Sequence, residues 1–372
     1  MKRIALIDIL RGIAILGTLG TNIWIFAHLG DLLYITTAGA SSWTNMNDFV
    51  RTIVLFMVNG KLLGMLTIMF GVGMEIKYQQ SIRRNKPWIG MYKWVILFLM
   101  MEGFLHYLLV MEYDVLMSYA VTAAIIAAII KRGERVMTRV LWIAGILHVG
   151  MVTLIFAAML LEPAISLASS PQLIALYAEG TWLEQVRNRL MNFVFFRTES
   201  IFIIPLNICL FIVGVKLMRS GAFSFDAQGI AIQRKLLVWG LGLGLPLNAL
   251  IFIPGGAFDL PIRYLFAPVL AFGYIGLIAF VVRTYSTWRV WKWLEMTGRM
   301  SLSCYILQNL TGTAIFYGWG LGLGGKLNSI EIVGVFCMIV AAQIIFANGW
   351  LAKFPYGPVE WLRKGMLQKL ER

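Results

Sequence analysis

The feature that most constrains this chain is the recurrence of apolar runs long enough to cross a bilayer. They fall at roughly 5–27, 49–76, 90–111, 115–130, 140–161, 200–218, 236–253, 263–282, 301–320 and 331–352, and a helix needs about 20 such residues to span the hydrocarbon. Hydrophobic residues make up 59% of the 372 positions and charged residues 13%, against about half and about a quarter in a soluble domain. A chain of this composition could not cover its apolar surface in water, so its solvent is largely lipid. The pattern predicts an all-α, polytopic membrane helical bundle of about ten transmembrane helices, with interfacial helices beside them. The second run is interrupted by Asn59-Gly60-Lys61, which reads as an interfacial helix followed by a span starting near Lys61.

The net charge of +14 does not point to nucleic acid, because the basic residues sit in short clusters between apolar runs. With the N-terminus in the cytoplasm and alternating sides, 25 of the 32 Lys and Arg residues fall on cytoplasmic segments, as the positive-inside rule demands. The remaining seven are Arg51, Lys61, Arg187, Arg189, Arg197, Arg263 and Lys326. This asymmetry predicts an even number of spans and both termini inside. Met1-Lys2-Arg3 and the run after them resemble a signal sequence, but the run carries Asp8 and Arg11 and no small-x-small cleavage site, so it reads as an uncleaved first span. Cys209, Cys304 and Cys337 each lie in an apolar run with no CxxC or CxxH spacing. They read as buried packing residues, not as a disulfide framework or a metal site. In the longest external segment, about 162–199, Leu183, Val186, Leu190 and Phe193 share one helical face. This predicts a helix lying on the outer surface, either a lid over a site or a connector.

Polar groups inside the runs are the candidate functional residues, since lipid makes them expensive unless they are paired or hydrated. Asp8, Arg11, Thr18 and Asn22 lie within about 80° of one another on the first helix, a stripe that lines a cavity or pairs with other helices. Glu102 and His106, at i and i+4, share a face of the third run, with Asp114 in the turn that follows. A carboxylate beside an imidazole fixes its tautomer, as a general base requires, although structural pairs of this kind are common. Lys61, snorkelling to the outer face, is expected to converge with Asn22, His106 and Asp114 on an external vestibule. Asp8, Arg11 and Arg299 with the basic loops make a positive cytoplasmic mouth suited to a phosphorylated ligand. Ser301, Tyr305 and Gln308 share a face of the ninth run, where interhelical bonding is the plainer reading.

Several blocks together resemble the YeiB family of bacterial membrane proteins over most of the chain. They are Asp8-Ile9-Leu10-Arg11-Gly12 with Asn22; Gly60-Lys61-Leu62-Leu63 leading to Phe70-Gly71-Val72-Gly73; Gly103-Phe104-Leu105-His106 followed by Asp114-Val115-Leu116; Gly298-Arg299-Met300-Ser301-Leu302-Ser303 with Tyr305 and Gln308; Tyr317-Gly318-Trp319-Gly320-Leu321-Gly322; and Gly357-Pro358-Val359-Glu360-Trp361. The N-terminal half is similar to the transmembrane acyltransferases, including heparan-α-glucosaminide N-acetyltransferase, which share the Asp-x-x-Arg-Gly…Asn opening. They pass an acyl group from cytoplasmic acyl-CoA to an acceptor on the far side, using a histidine there.

The resemblance implies an acyltransferase-like half at 1–161, the external loop with its interfacial helix at 162–199 and a YeiB-like half at 200–372, joined in one integral unit of the bacterial cytoplasmic (inner) membrane. It implies acyl-CoA, acetyl-CoA first, as co-substrate, with its phosphates near Arg11 and Arg299. Asp8, Tyr305 and Gln308 join them as donor-binding candidates. His106, supported by Asp114 or Glu102, would deprotonate an acceptor hydroxyl or amine or carry the acyl group, and Lys61 or Asn22 would stabilise the oxyanion. His28 is nearer in sequence to the place of the family's external histidine, so the choice between His28 and His106 stays open. Expected partners are membrane lipids and a small-molecule or glycan acceptor, with a homodimer compatible and no nucleic acid or metal. The alternative is a secondary transporter or exporter using the same polar residues, with Asp8, Glu102 and His106 coupling protons.

Overall fold

The computed structural model describes residues 4–37, 45–161 and 170–370, and within these ranges it is helical, with no strand. Lys2, Arg3, Arg372 and residues 162–169 of the external segment lie outside the described residues. In chain order the helices are α1 (Ala5–Ala27), α2 (Met46–Val58), α3 (Lys61–Arg83), α4 (Trp88–Leu109), α5 (Leu116–Ile129), α6 (Glu134–Leu161), α7 (Pro171–Glu179), α8 (Trp182–Met191), α9 (Phe193–Phe196), α10 (Thr198–Arg219), α11 (Ala227–Ala249), α12 (Asp259–Pro261), α13 (Ala267–Thr284), α14 (Arg289–Arg299), α15 (Ser301–Phe316), α16 (Ser329–Lys353) and α17 (Pro358–Leu370).

Among the described residues, eight helical segments are long and apolar enough to cross a membrane: α1, α2–α3, α4, α6, α9–α10, α11, α12–α13 and α16. The runs at 115–130 and 301–320 form α5 and α15, of 14 and 16 residues, shorter than the about 20 that a lone span requires. Asn59-Gly60 breaks the second run as its composition suggests. Gly60 sits at φ 74°, in the left-handed region that glycine enters without strain. A Cβ there would also come within 2.8 Å of the Arg263 carbonyl oxygen.

α1 is the central post of the bundle. Of its apolar segment 78% is buried, against 17% for α6 and 22% for both α11 and α16. The peripheral helices turn Trp142, Ile143, Ile146, Leu154, Trp239 and Ile345 outward, each more than half exposed. Such a surface would aggregate in water and costs nothing against acyl chains. Inside, Leu10, Ala14 and Ile15 of α1 pack with Met65 and Met69 of α3, Phe211 of α10 and Ala271 of α13. A second cluster, around Trp24, Phe26, Phe316 and Tyr317, closes the end of α1 that carries Asn22. Of the three cysteines only Cys304 is buried, with Cys209 intermediate. Cys337 is exposed, which corrects the expectation of three buried thiols: an apolar run is not an inward-facing one when the surroundings are lipid.

Two close approaches place the C-terminal helices. α14 crosses α1 at Gly12 and Gly298; a Cβ on Gly298 would lie 1.8 Å from the Asp8 carbonyl oxygen, and one on Gly12 2.2 Å from that of Leu294. Small residues are what allow two backbones to meet this closely. The chain bends at Met300 (φ −122°, ψ 39°) and α15 then continues along α1. Its free N-terminal N–H groups are met by the Glu360 carboxylate of α17, which accepts from Leu302 N at 2.9 Å, Ser303 N at 3.2 Å and the Ser303 hydroxyl. A carboxylate is the natural cap for a helix N-terminus. Gly298→Ala, which forces α1 and α14 apart, is expected to cost about 1–3 kcal/mol and to lower the thermal unfolding midpoint in detergent. An unchanged midpoint would contradict the close crossing.

Candidate functional site

The site is assembled from α1, α4, α5 and α15. His106, one turn from the end of α4, is buried, and its Nδ1 lies 2.9 Å from Asp114 Oδ1. Asp114 owes its position to the turn between α4 and α5: its Oδ2 accepts from the backbone N–H of Leu116 at 2.9 Å and of Met117 at 3.3 Å, capping α5. The Tyr305 hydroxyl donates to the same carboxylate at 3.4 Å, and the Tyr305 ring sits 4.9 Å from the imidazole. On the other side of the ring, Asn309 Nδ2 lies 3.2 Å from His106 Nε2, and Asn22 Nδ2 donates to Asn309 Oδ1 at 3.1 Å. With the Asn309 amide donating to Nε2, the proton of the neutral imidazole sits on Nδ1, facing Asp114. The result is one chain of bonds, Asp114–His106–Asn309–Asn22. Gln308 Nε2 donates to Thr18 Oγ1 at 3.1 Å one turn deeper.

Two cavities and a groove adjoin this chain. A polar cavity of about 60 Å³ is lined by Thr18, Asn22, Asn59, Asp114, Arg197 and Tyr305 among others. It adjoins an antechamber of about 440 Å³ with mostly apolar walls, and the two share Leu32, Tyr113, Phe196, Glu199 and Arg263. On the far side of His106, a groove of about 230 Å³ runs between α4, α15 and α17, lined by Phe98, Leu105, His106, Ile306, Val359 and Met366 among others. His106 therefore borders the apolar groove while its partners Asp114 and Tyr305 border the polar cavity.

The structure brings together Asn22, His106 and Asp114, and adds Tyr305 and Gln308, which were expected on the donor side with Arg11 and Arg299. Glu102 does not support His106: its carboxylate turns to Arg363 of α17, 3.8 Å away. Lys61 does not snorkel outward. It is fully buried, with Nζ 3.4 Å from the Leu55 carbonyl oxygen and 5.9 Å from the centre of the Phe56 ring, and its neighbours Asn59 and Gly60 line the cavity in its place. Asp8 and Arg11 pair at 3.7 Å toward the other end of α1, where Arg11 also reaches the Met69 carbonyl oxygen at 3.3 Å. Between Arg11 and Thr18 lie the packed Ala14 and Ile15. Arg299 meets the Met296 sulfur at 3.2 Å. His28 takes no part in these hydrogen bonds and stacks on Tyr34, with ring centres 3.3 Å apart.

The roof of the site was not legible in the sequence. Arg189 of α8 is fully buried, with Nε 3.4 Å from Glu112 Oε2 and Nη1 3.1 Å from the Leu108 carbonyl oxygen. The Tyr177 hydroxyl donates to Glu112 Oε2 at 2.7 Å, and Tyr107 donates to the Arg189 carbonyl at 2.6 Å. Burial, then the Glu112 charge, pushes the Tyr177 phenol well above its usual range. Arg197 donates to the carbonyl oxygens of Glu112 and Asp114, the latter at 3.0 Å. The external segment is thus clamped to the α4–α5 turn that holds Asp114. α8 does lie on the surface of the bundle, but the face it presents to the protein is the polar one, Gln185 and Arg189, while Leu183 and Leu190 point away.

These features define an all-helical protein, with eight segments long and apolar enough to cross a membrane among its described residues, and with a buried histidine–carboxylate pair between an apolar groove and a polar cavity; this is consistent with a multi-pass membrane protein. Residues 217–369 match the family model described as a protein of unknown function (DUF418); the matched stretch holds the three C-terminal blocks quoted above. Over 97% of its length the chain is similar to the uncharacterized protein YxaH of Bacillus subtilis (strain 168), at 23% identity over 93% of that relative. It is also similar to the uncharacterized protein YeiB of Escherichia coli (strain K12), at 27% identity over 95% of that relative. Both matches support the likeness to the YeiB family read from the motifs. No solved structure matches the chain.

Two predictions follow from charge and burial. Glu112→Gln leaves a charged Arg189 unpaired in the interior and is expected to cost about 3–5 kcal/mol, read as a lower thermal midpoint. Adding Arg189→Met should recover part of the loss, and its failure to do so would show that the pair is not coupled. His28, outside the spans, is held down to about 4 by burial and then by the Arg51 charge. Its unfolded form binds a proton below about pH 6.5, so its contribution to stability is complete above that pH and is lost as pH falls toward 4. His28→Gln should flatten that part of the stability profile, measured as unfolding midpoint against pH.

Proposed function

We propose that the protein is a membrane acyltransferase, and that it moves an acyl group from cytoplasmic acyl-CoA to a hydroxyl or amine at the outer face of a bacterial inner membrane. The observation that carries this reading is the position of His106, which borders an apolar groove able to take an acyl chain while its bonded partners border a polar cavity able to take an acceptor. In the same reading α5 and α15, most of whose residues are packed against neighbouring helices, complete ten spans. Both termini lie in the cytoplasm, by the distribution of Lys and Arg.

The acceptor displaces the Asn309 amide from His106 Nε2 and gives that nitrogen its proton as it attacks the thioester carbonyl carbon. Asp114 keeps the imidazole in its tautomer and steadies the imidazolium. Asn22, freed on the cavity wall, donates to the developing oxyanion; Lys61, outside the cavity, does not. When the carbon–sulfur bond breaks, the thiolate leaves and takes the proton from His106, so that an ester or amide and free CoA are formed. Arg11 and Arg299 remain the candidates for the phosphates of the donor.

A transporter needs a polar path along α1, and the packed Ala14 and Ile15 between Arg11 and Thr18 weigh against that alternative. The purified protein is expected to be thermally stabilised by acetyl-CoA in a dose-dependent manner and to release free CoA in the presence of acceptor. His106→Ala should keep the fold and lose transfer by at least about a hundredfold, the usual contribution of a general base. Full activity in that variant, or substrate flux into proteoliposomes with no dependence on CoA, would overturn the reading.

A further inference from the structure

We propose that the acceptor is an anionic amphiphile of the outer leaflet, with its phosphate or carboxylate headgroup bound by Arg197 and its chain lying in the antechamber. This rests on the acyl-transfer reading and names its substrate class. The argument begins with charge. Asp114 is saturated by His106, Tyr305 and two backbone N–H groups. Glu199 is taken by Arg263 at 3.5 Å and by the Tyr264 hydroxyl at 2.7 Å. Arg197, on the cavity wall, meets no carboxylate within ion-pair distance among the described residues. Its two Nη atoms are held by backbone carbonyls, and its Nε is buried without a partner. One face of the guanidinium rests on the Tyr107 ring, 4.4 Å from its centre; a guanidinium that lines a cavity and has no carboxylate to neutralise it is a site for an anion.

The second observation is the shape of the space. The polar cavity is far too small for more than a headgroup, and it adjoins the larger antechamber, walled by Leu32, Ile35, Leu173, Phe195, Phe196 and Leu260. A soluble anion has no use for those walls. The third is access. Phe195, one of the walls, is also largely exposed, in line with Met191 and Val194. This is the face that α8 and α9 turn to their surroundings, so the chamber lies beside a lipid-facing surface. The reacting hydroxyl or amine of such a molecule, a few bonds from its anion, would then lie near the Asn22–Asn309–His106 chain.

The test is a binding measurement with no acyl-CoA present. The full-length protein in neutral detergent with excess dioleoylphosphatidylcholine is titrated with dioleoylphosphatidylglycerol, and in a separate arm with inorganic phosphate, and the unfolding midpoint is read. The phosphatidylglycerol should raise the midpoint of the wild type, and Arg197→Gln should weaken its apparent affinity about tenfold, as loss of a charge-assisted contact does. Arg187→Gln, an exposed charge on the same side, should leave it within about twofold, since screened surface charges contribute little. Arg197→Lys keeps the charge and loses the fork to two carbonyls, so it should lower the basal midpoint yet retain most of the lipid response. His106→Ala should bind like wild type, so that loss of transfer and loss of this site are told apart. A phosphatidylglycerol response no larger than that to the same addition of further phosphatidylcholine, or an unchanged phosphatidylglycerol response in Arg197→Gln, would overturn the proposal. A phosphate arm that reproduces the whole shift would overturn the amphiphile and leave a soluble anion.

Discussion

Hydrocarbon offers no hydrogen bonds, so a polar group of this bundle that does not reach water must find its partner in the protein. The Asp114–His106 contact is where that demand is most concentrated. Asp114 closes the α4–α5 turn through two backbone N–H groups and at the same time accepts from His106 and from Tyr305 of α15. Through Asn309 and Asn22 the same chain of bonds ties α15 to α1. A single carboxylate thus links elements nearly two hundred residues apart in sequence, and the cavities on either side of the imidazole exist because these helices are held at that separation.

Lipid also inverts the usual sense of an amphipathic helix. In water α8 would bury Leu183 and Leu190 and expose Arg189. Here the guanidinium is the buried group and the leucines face outward, because Glu112, Tyr177 and the Leu108 carbonyl offer Arg189 a better environment than acyl chains do. The same reasoning explains the exposed tryptophans and isoleucines of α6, α11 and α16 and the exposed Cys337. In this chain, apolar does not mean central. The central helix, α1, is the one with four polar residues along one side, since only a helix surrounded by protein can keep them.

Much of the framework could be read directly. The break at Asn59-Gly60, the surface position of α8 and the grouping of Asn22, His106 and Asp114 all come from local composition and helical spacing. The errors have a common form. Glu102 was matched to His106 because the two are four residues apart, but a long carboxylate can rotate away, and Arg363 of α17 captures it. Lys61 was expected at the surface because its span begins there, but the helix start is itself buried under α2 and α13. Asn309, Glu112, Arg189 and Arg197 went unassigned because each acts on a residue of another helix, and no short-range pattern signals that.

The amino-acid sequence by itself determined that this chain is all-helical and rich in segments long and apolar enough to cross a membrane, and which few polar side chains need an explanation. Those properties follow from the local balance between apolar length and backbone hydrogen bonding, which is settled within about twenty residues. Only the tertiary structure decided which of those side chains meet, because partner choice among buried polar groups depends on how α1, α4, α15 and α17 cross. Those crossings are set by close approaches such as Gly12 on Gly298, contacts between residues that spacing along the chain cannot bring into register.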